Sequence, residues 1–187
     1  MKKQVNKIKG LMKKHFTLGC CGIDCGLCPR FYTDGDSRCP GCGGPNFNEV
    51  HPSCGILNCC FKKHKLEVCS LCKEFPCDKY KDKEKVEKDS FVTCKKIFKN
   101  FEFIKTNGIN VFIKEQKVRI KLLNLLLEKY NDNKSKSYYC LATTLLNIKS
   151  VENILKYIKN KDVNIKTLKE KINEYAKEEN VELKLNK

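Results

Sequence analysis

The sequence contains no long apolar run, and this absence limits where the protein can work. A membrane-spanning helix needs about 18 consecutive and mostly apolar residues, and no segment of the 187-residue chain approaches that length. The N-terminal segment MKKQVNKIKGLMKKHF is basic, but it lacks the continuous apolar region and the small-residue cleavage site of a secretory signal. We therefore expect a cytoplasmic protein without a membrane partner.

Arginine is also scarce, although the net charge is +16. The chain has three arginines, Arg30, Arg38 and Arg119, and its remaining strongly basic side chains are lysines. Arginine usually recognises phosphates and bases through paired hydrogen bonds, whereas scattered lysines are typical of a solvated surface. A nucleic-acid-binding zinc module stays open as an alternative, but nucleic acid is not the favoured partner.

Familiar catalytic motifs are missing as well. The chain has neither a Walker phosphate-binding loop nor a G-x-S-x-G motif. Cys140 follows two tyrosines and could be a nucleophile, but a helical cysteine more often acts as a small buried apolar residue. The sequence identifies no catalytic residue and no site for an organic cofactor, so whether the protein is an enzyme stays open.

What the chain does have is cysteine: fourteen residues, twelve of them between Cys20 and Cys77. In a secreted protein this density indicates disulfides, whereas in a cytosolic protein it indicates metal binding. Two cysteines that lie close together in the chain would also close a strained disulfide loop, but they chelate a metal easily. We therefore predict that thiolates hold metal in this region.

The clearest metal-binding motif is Cys39-Pro40-Gly41-Cys42-Gly43, a zinc-knuckle pattern. A tight turn directs both thiolates at one ion, and glycine tolerates the positive φ that this turn requires. The upstream pair Cys25 and Cys28 supplies two more soft ligands, so the two pairs predict one tetrahedral site. Cys21 precedes Cys25 by four residues and is a further candidate for this group.

A second group of cysteines follows in the sequence. Its members are five candidates for another four-ligand site, namely Cys54, Cys59, Cys69, Cys72 and Cys77. Cys20 and Cys60 belong to Cys-Cys doublets, and adjacent residues rarely reach the same ion. We therefore expect one ligand from each doublet and leave Cys20 and Cys60 out, with His51 as the best spare ligand.

Two metal sites and a structural role are the resulting hypothesis. The knuckle favours Zn²⁺, although four thiolates also hold a [4Fe–4S] cluster. Residues 17–80 are rich in turn formers and have no periodicity, so they need metal to become ordered. We predict a cytosolic structural-zinc protein that recognises a protein or a small ligand. The alternative is an iron–sulfur redox protein or enzyme.

The expected architecture has two regions. Residues 17–80 form a small, irregular, metal-stapled module with short hairpins, and residues 81–187 are mostly α-helical. Helix signals predict helices over Phe91–Lys105, Ile109–Tyr130, 136–147, 151–160 and 165–178, with a short one possible within residues 1–16. The alternating segment VELKL, residues 181–185, predicts a short strand.

The cysteine pattern resembles a family of bacterial and archaeal proteins catalogued as domain of unknown function 3795. The resemblance covers roughly residues 18–80, and the segments that carry it are CCGIDCGLCPRFYTDG, RCPGCGG, HPSCGILNCC and EVCSLCKEFPC. Ten cysteines match, namely Cys21, Cys25, Cys28, Cys39, Cys42, Cys54, Cys59, Cys69, Cys72 and Cys77. The resemblance implies a metal-binding role and no established activity.

Overall fold

The computed structural model describes residues 12–132 and 134–185. Most of the basic N-terminal segment therefore lies outside the described residues, as does any short helix before residue 12. A Cys-rich region at residues 17–80 precedes a mostly helical region, which confirms the predicted order of the two. None of the helices within the described ranges is long and apolar enough to cross a membrane.

Short helical turns, not hairpins, build the Cys-rich region. 3-10 turns occupy Cys25–Leu27, Pro29–Tyr32, Cys69–Leu71 and Asp78–Tyr80, while α1 (Phe47–Val50) and α2 (Gly55–Leu57) are short helices and a π-helical turn spans Asn58–Lys63. The predicted hairpins are wrong, because no β-strand occurs among residues 12–132 and 134–185. The C-x2-C pairs close 3-10 turns instead, with Cys28 N donating to Cys25 O at 3.2 Å and Cys72 N to Cys69 O at 2.9 Å.

Six helices make up the second region. After the short α3 (Lys83–Glu87), the chain forms α4 (Ile97–Asn107), α5 (Ile109–Lys129), α6 (Lys136–Leu145), α7 (Ile148–Asn160) and α8 (Ile165–Glu178). The long central helix α5 contacts α4, α6 and α7, and α8 packs on α7. Gly108 separates α4 from α5 with a φ of +84°, in agreement with the predicted helices that end at Lys105 and begin at Ile109.

Two predictions in the helical region are wrong. The first of the predicted helices, α4, begins at Ile97 rather than Phe91, because the Asp89 carboxylate accepts a hydrogen bond from Cys94 N at 2.7 Å and holds a turn there. Residues 181–185 form no strand. Val181 N instead donates to Ala176 O at 2.8 Å and ends α8, and no neighbouring strand is available among the described residues.

The apolar core consists of two clusters. One lies between the Cys-rich region and the α4–α5 corner, and its fully buried members include Leu18, Val68, Phe101 and Ile104. The other lies among α5, α6, α7 and α8, and Leu123 is one of its fully buried members. The first cluster draws side chains from both regions, so the Cys-rich region and α4 share one hydrophobic core.

A buried carboxylate connects the two regions through polar contacts. Asp24 Oδ2 accepts a hydrogen bond from Asn100 Nδ2 of α4 at 2.9 Å, and its Oδ1 accepts one from Gln116 Nε2 of α5 at 3.0 Å. Gln116 also bonds to both the hydroxyl and the carbonyl oxygen of Thr17. Because buried polar groups are costly when unpaired, these bonds fix the start of the Cys-rich region against the helices.

Candidate metal centre

The zinc-knuckle turn has the backbone conformation that its glycines predict. Gly41 and Gly43 have φ values of +85° and +67°, in the region that favours glycine. A Cβ atom at Gly41 would lie 2.3 Å from Phe16 O, far too close for any side chain. The knuckle can therefore pack against the chain that precedes the first cysteine doublet, and this packing brings Cys42 to Cys20.

Four buried thiols form a row that starts at Cys42. The Cys20 thiol interacts electrostatically with those of Cys42 and Cys60, and Cys60 interacts in turn with Cys69. All four residues are at most 9% exposed. The row therefore joins the knuckle to the 3-10 turn Cys69–Leu71, through two cysteines that the spacing argument had left out.

Hydrogen bonds that involve the backbone also hold this row. Cys20 N donates to Cys42 Sγ at 3.4 Å, and Cys69 N donates to Cys20 O at 2.9 Å. Cys60 lies in the π-helical turn, where its thiol donates to Leu66 O at 3.3 Å. These hydrogen bonds thus help to fix the order Cys42, Cys20, Cys60 and Cys69 along the row.

A second set of thiols, Cys21, Cys25 and Cys54, also lies near Cys42 or near one of its neighbours. Cys25 interacts electrostatically with Cys42 and Cys21, and its thiol also hydrogen-bonds to the Cys42 backbone. Cys21 interacts with Cys42 and Cys54. The Cys54 thiol accepts a hydrogen bond from Leu57 N at 3.5 Å, at the start of α2. Cys21 and Cys25 therefore interact with Cys42, and Cys54 interacts with Cys21.

The cysteines of the first predicted quartet interact in pairs that share members. Cys25 interacts with both Cys42 and Cys28, and Cys28 interacts with Cys39. Cys140 of α6 also interacts with Cys28. In the second predicted group, Cys54 and Cys69 belong to the two sets around Cys42, while Cys59, Cys72 and Cys77 are partly buried. How all ten cysteines group into sites stays a prediction.

The thiols are neighbours but do not form a ready coordination sphere. Within residues 12–132 and 134–185, no group of three or more histidine, cysteine or carboxylate side chains is arranged to hold a metal ion. Metal binding therefore requires these side chains to rotate toward a common point, which changes χ1 angles more than the backbone.

Burial keeps the metal-free thiols protonated. Desolvation raises the pKa of Cys21 to about 11. The hydrogen bond with Cys20 and then burial raise the pKa of Cys42 far above its ordinary value. Because metals bind thiolates, each ion must displace these protons. Affinity is therefore expected to rise with pH.

A buried lysine lies beside the thiol row. Lys13 is 1% exposed, and its ammonium donates to Leu18 O at 2.7 Å. Its charge acts on Cys20, Cys42 and Cys60, and no carboxylate in the described part of the chain forms an ion pair with it. Burying a charge without a counter-charge is costly, so thiolates are the groups that could compensate it.

The other end of the row has a polar group without a partner. The Tyr80 hydroxyl is buried next to the Cys69 thiol, and it makes no hydrogen bond within residues 12–132 and 134–185. A hydroxyl is both donor and acceptor, so it could donate to a thiolate at Cys69. Lys13 and Tyr80 would thus stabilise negative charge at both ends of the row.

These two residues and the doublet cysteines could not be found by spacing. Cys20 and Cys60 resemble redundant copies of their neighbours in the sequence, and only the folded chain shows that their thiols meet. Lys13 is one of many N-terminal lysines. The one sequence signal for Cys20 and Cys60 was that the Cys-Cys doublet occurs twice. One unused cysteine would not explain why a second doublet is present.

The comparison with known families confirms the predicted resemblance. Residues 17–82 match the family model described as Protein of unknown function (DUF3795). The match covers the Cys-rich region and the two residues that follow it, and its description gives no activity. No curated protein and no solved structure matches the chain.

Proposed function

We propose that the Cys-rich region is a structural metal–thiolate module with Zn²⁺ as its metal. The observation that carries the proposal is Lys13, a buried ammonium that interacts with three thiols and forms no ion pair with a carboxylate of the described residues. Four thiolates around Zn²⁺ have a net charge of about −2. A nearby buried ammonium would offset half of it, whereas beside neutral thiols the same ammonium would be destabilising.

An iron–sulfur centre is the second candidate. The thiol row lies in the first apolar cluster, next to Leu18 and Val68, and a dry thiolate pocket of this kind suits either metal. Both candidates use the same residues and predict the same buried charge. The choice between them therefore depends on spectroscopy.

Reduced protein purified without oxygen is expected to contain about two metal ions per chain and to be colourless. Zn²⁺ has no visible transitions because its d shell is full. The measurement is elemental analysis together with an absorption spectrum. A band near roughly 400 nm that dithionite bleaches would indicate a cluster instead, and well under one metal per chain would contradict the proposal.

Replacing Lys13 by methionine tests the charge argument directly. Lys13→Met is expected to weaken zinc binding about 10- to 100-fold, because a hydrogen bond or contact with a charged group contributes roughly 1.5–3 kcal/mol. The same change should stabilise the metal-free protein, since it removes an uncompensated buried ammonium. Competition with a zinc chelator gives the affinity, and urea unfolding gives the stability.

Lys14→Met is the matched control for this experiment. Lys14 is exposed and adjacent, and its contact with Glu67 is made by the backbone N–H, which the substitution keeps. We expect its zinc affinity and stability to equal those of the original protein. If Lys13→Met binds zinc as tightly as this control, the thiols near Lys13 are not thiolates in the metal-bound protein.

The role that this module would serve is recognition of a protein or a small ligand rather than catalysis by a free thiol. Cys140 is buried, and desolvation raises its pKa to about 12, so it is a poor nucleophile at neutral pH. Cys94 is buried as well, and desolvation raises its pKa to about 11. Neither thiol outside the Cys-rich region has the low pKa of a reactive cysteine.

A further inference from the structure

A cleft of about 580 Å³ lies between the start of α4, the connection from α6 to α7, and the end of α8. Its volume is within the range of roughly 300–1,000 Å³ that sites for small molecules occupy. Lys95, Lys96 and Lys99 line the wall that α4 contributes, and no cysteine is among the described residues of the lining. The cleft is therefore separate from the candidate metal centre.

Hydrogen bonds fix the walls of this cleft relative to one another. The Glu179 carboxylate, at the end of α8, accepts Asn147 N at 2.8 Å and Ser150 Oγ at 2.6 Å, both at the start of α7. The segment that follows α8 is held to the start of α4, because Lys95 Nζ donates to Lys184 O at 2.8 Å. The walls thus have the fixed arrangement of a site that is formed before its ligand binds.

Positive charge is concentrated on the α4 wall of the cleft. The ammonium groups of Lys96 and Lys99 form neither a hydrogen bond nor an ion pair within the part of the chain that the structure describes. Of the two glutamates in the lining, Glu179 is already hydrogen-bonded to the start of α7, and Glu182 is exposed. The described residues therefore leave this wall with two ammonium groups available to a ligand.

Lys96 is partly buried as well as positively charged. Desolvation, followed by the charge of Arg119, lowers the pKa of Lys96 to about 8, although Asp24 and Glu115 act in the opposite direction. A negative charge bound beside this ammonium would favour its protonated form. The surroundings of Lys96 therefore favour an anion in the cleft.

We propose that this cleft binds the phosphate group of a small anionic ligand, with Lys96 and Lys99 contacting the phosphate oxygens. A phosphate ester has a charge of about −1.5 to −2 at neutral pH and three acceptor oxygens, so it can contact two ammonium groups at once. Asn147 and Asn180 also line the cleft, and their side-chain amides can donate further hydrogen bonds. The proposal does not depend on the metal–thiolate function.

A small ligand fits this cleft better than a nucleic acid does. Single-stranded nucleic acids are bound along extended basic grooves with aromatic side chains on which bases stack. This cleft is instead bounded by three segments of the chain, and no aromatic side chain is among the described residues that line it. We therefore assign it to a ligand of limited size.

The first test is a titration of the reduced full chain with sodium phosphate at constant ionic strength, followed by amide NMR. We expect saturable shifts at the start of α4, at the α6–α7 connection and at the end of α8. Sodium acetate at the same concentrations is the comparison and should cause weaker shifts, because it has less charge. Shifts scattered over the surface, or equally large with acetate, would overturn the proposal.

Substitutions in the cleft then measure the contribution of each lysine. Lys96→Gln is expected to weaken phosphate binding about 10-fold or more, as for loss of a hydrogen bond to a charged group. Lys99→Gln should weaken it by about two- to fivefold, because Lys99 is exposed. Lys121→Gln, an exposed position of α5, is the matched control and should bind phosphate like the original protein.

Two further results would contradict the proposal. Equal phosphate affinity of Lys96→Gln and Lys121→Gln, with circular dichroism showing that both are folded, would exclude Lys96 from the site. Binding of a single-stranded oligonucleotide that depends on Lys96, without binding of phosphate, would assign the cleft to nucleic acid instead. The NMR map uses the unaltered protein, so it tests the cleft even if Lys96→Gln does not fold.

Discussion

Removal of the metal by a chelator from reduced protein is expected to unfold residues 17–80 and to destabilise α4, while α5–α8 stay helical. Structural zinc contributes on the order of 10 kcal/mol to the folding of small modules, which is comparable with the whole stability of a typical domain, about 5–15 kcal/mol. The Cys-rich region has only short helical turns of its own. Without metal it therefore has little to keep it folded.

The extent of the unfolding follows from the two apolar clusters. Phe101 and Ile104 of α4 pack in the cluster that contains Leu18 and Val68, so α4 loses a main packing partner when the Cys-rich region unfolds. The second cluster, around Leu123, is made almost entirely by α5–α8. These helices bury their apolar faces against each other and do not need the metal.

Amide hydrogen exchange with and without chelator measures this effect for each segment. Exchange should become fast in residues 17–80 and in α4, and stay slow in the centre of α5. Zinc added back to the chelated sample is the control and should restore protection. Unchanged exchange in residues 17–80 would show that the region folds without metal. Loss of protection in every helix would show that the first cluster is the core of the whole protein.

The sequence predicted the long helices well because their signals are local. α5 has apolar residues at helical spacing along 21 residues and ends within one residue of the prediction, and α8 matches at both ends. The start of α4 was wrong because Asp89 and Ser90 are typical helix-capping residues. In the folded chain, Asp89 holds the loop that leads to Cys94. A cap signal alone cannot distinguish a helix start from a capped loop.

The candidate site could be predicted only to the level of its residue types. Spacing identifies cysteines that share a turn, such as Cys69 and Cys72, because three intervening peptide bonds limit their separation. It cannot show that Cys20 meets Cys42, since that contact joins residues 22 positions apart through the packing of Gly41. The position of Lys13 beside these thiols depends on the same packing, so no local pattern indicates it.

Substitution of Arg119, a buried cation of α5, is the second change for which we expect a large effect on stability. Its side chain forms an ion pair with Glu115 at 2.7 Å, and both side chains are mostly buried, at 6% and 27% exposure. Its Nη1 donates to Thr143 O at 2.8 Å and to Leu146 O at 2.7 Å, at the end of α6. Arg119 thus satisfies carbonyl groups that the end of a helix leaves without partners.

Arg119→Met is expected to destabilise the protein by about 3–5 kcal/mol, the range for losing one partner of a buried ion pair. Methionine fills a similar volume but leaves Glu115 and the two carbonyls without their donor. For a chain of this length the melting temperature should fall on the order of 10 °C. Circular dichroism at the helical band measures it.

The comparison with Lys121→Met distinguishes the effect of losing the buried contacts from the effect of losing one positive charge. Lys121 lies on the exposed side of the same helix, so we expect its substitution to change the melting temperature little. The effect of Arg119→Met should persist in chelated protein, because its partners belong to α5 and to the end of α6 rather than to the Cys-rich region. A loss of stability seen only with metal bound would instead mean that the α5–α6 contact depends on the metal module.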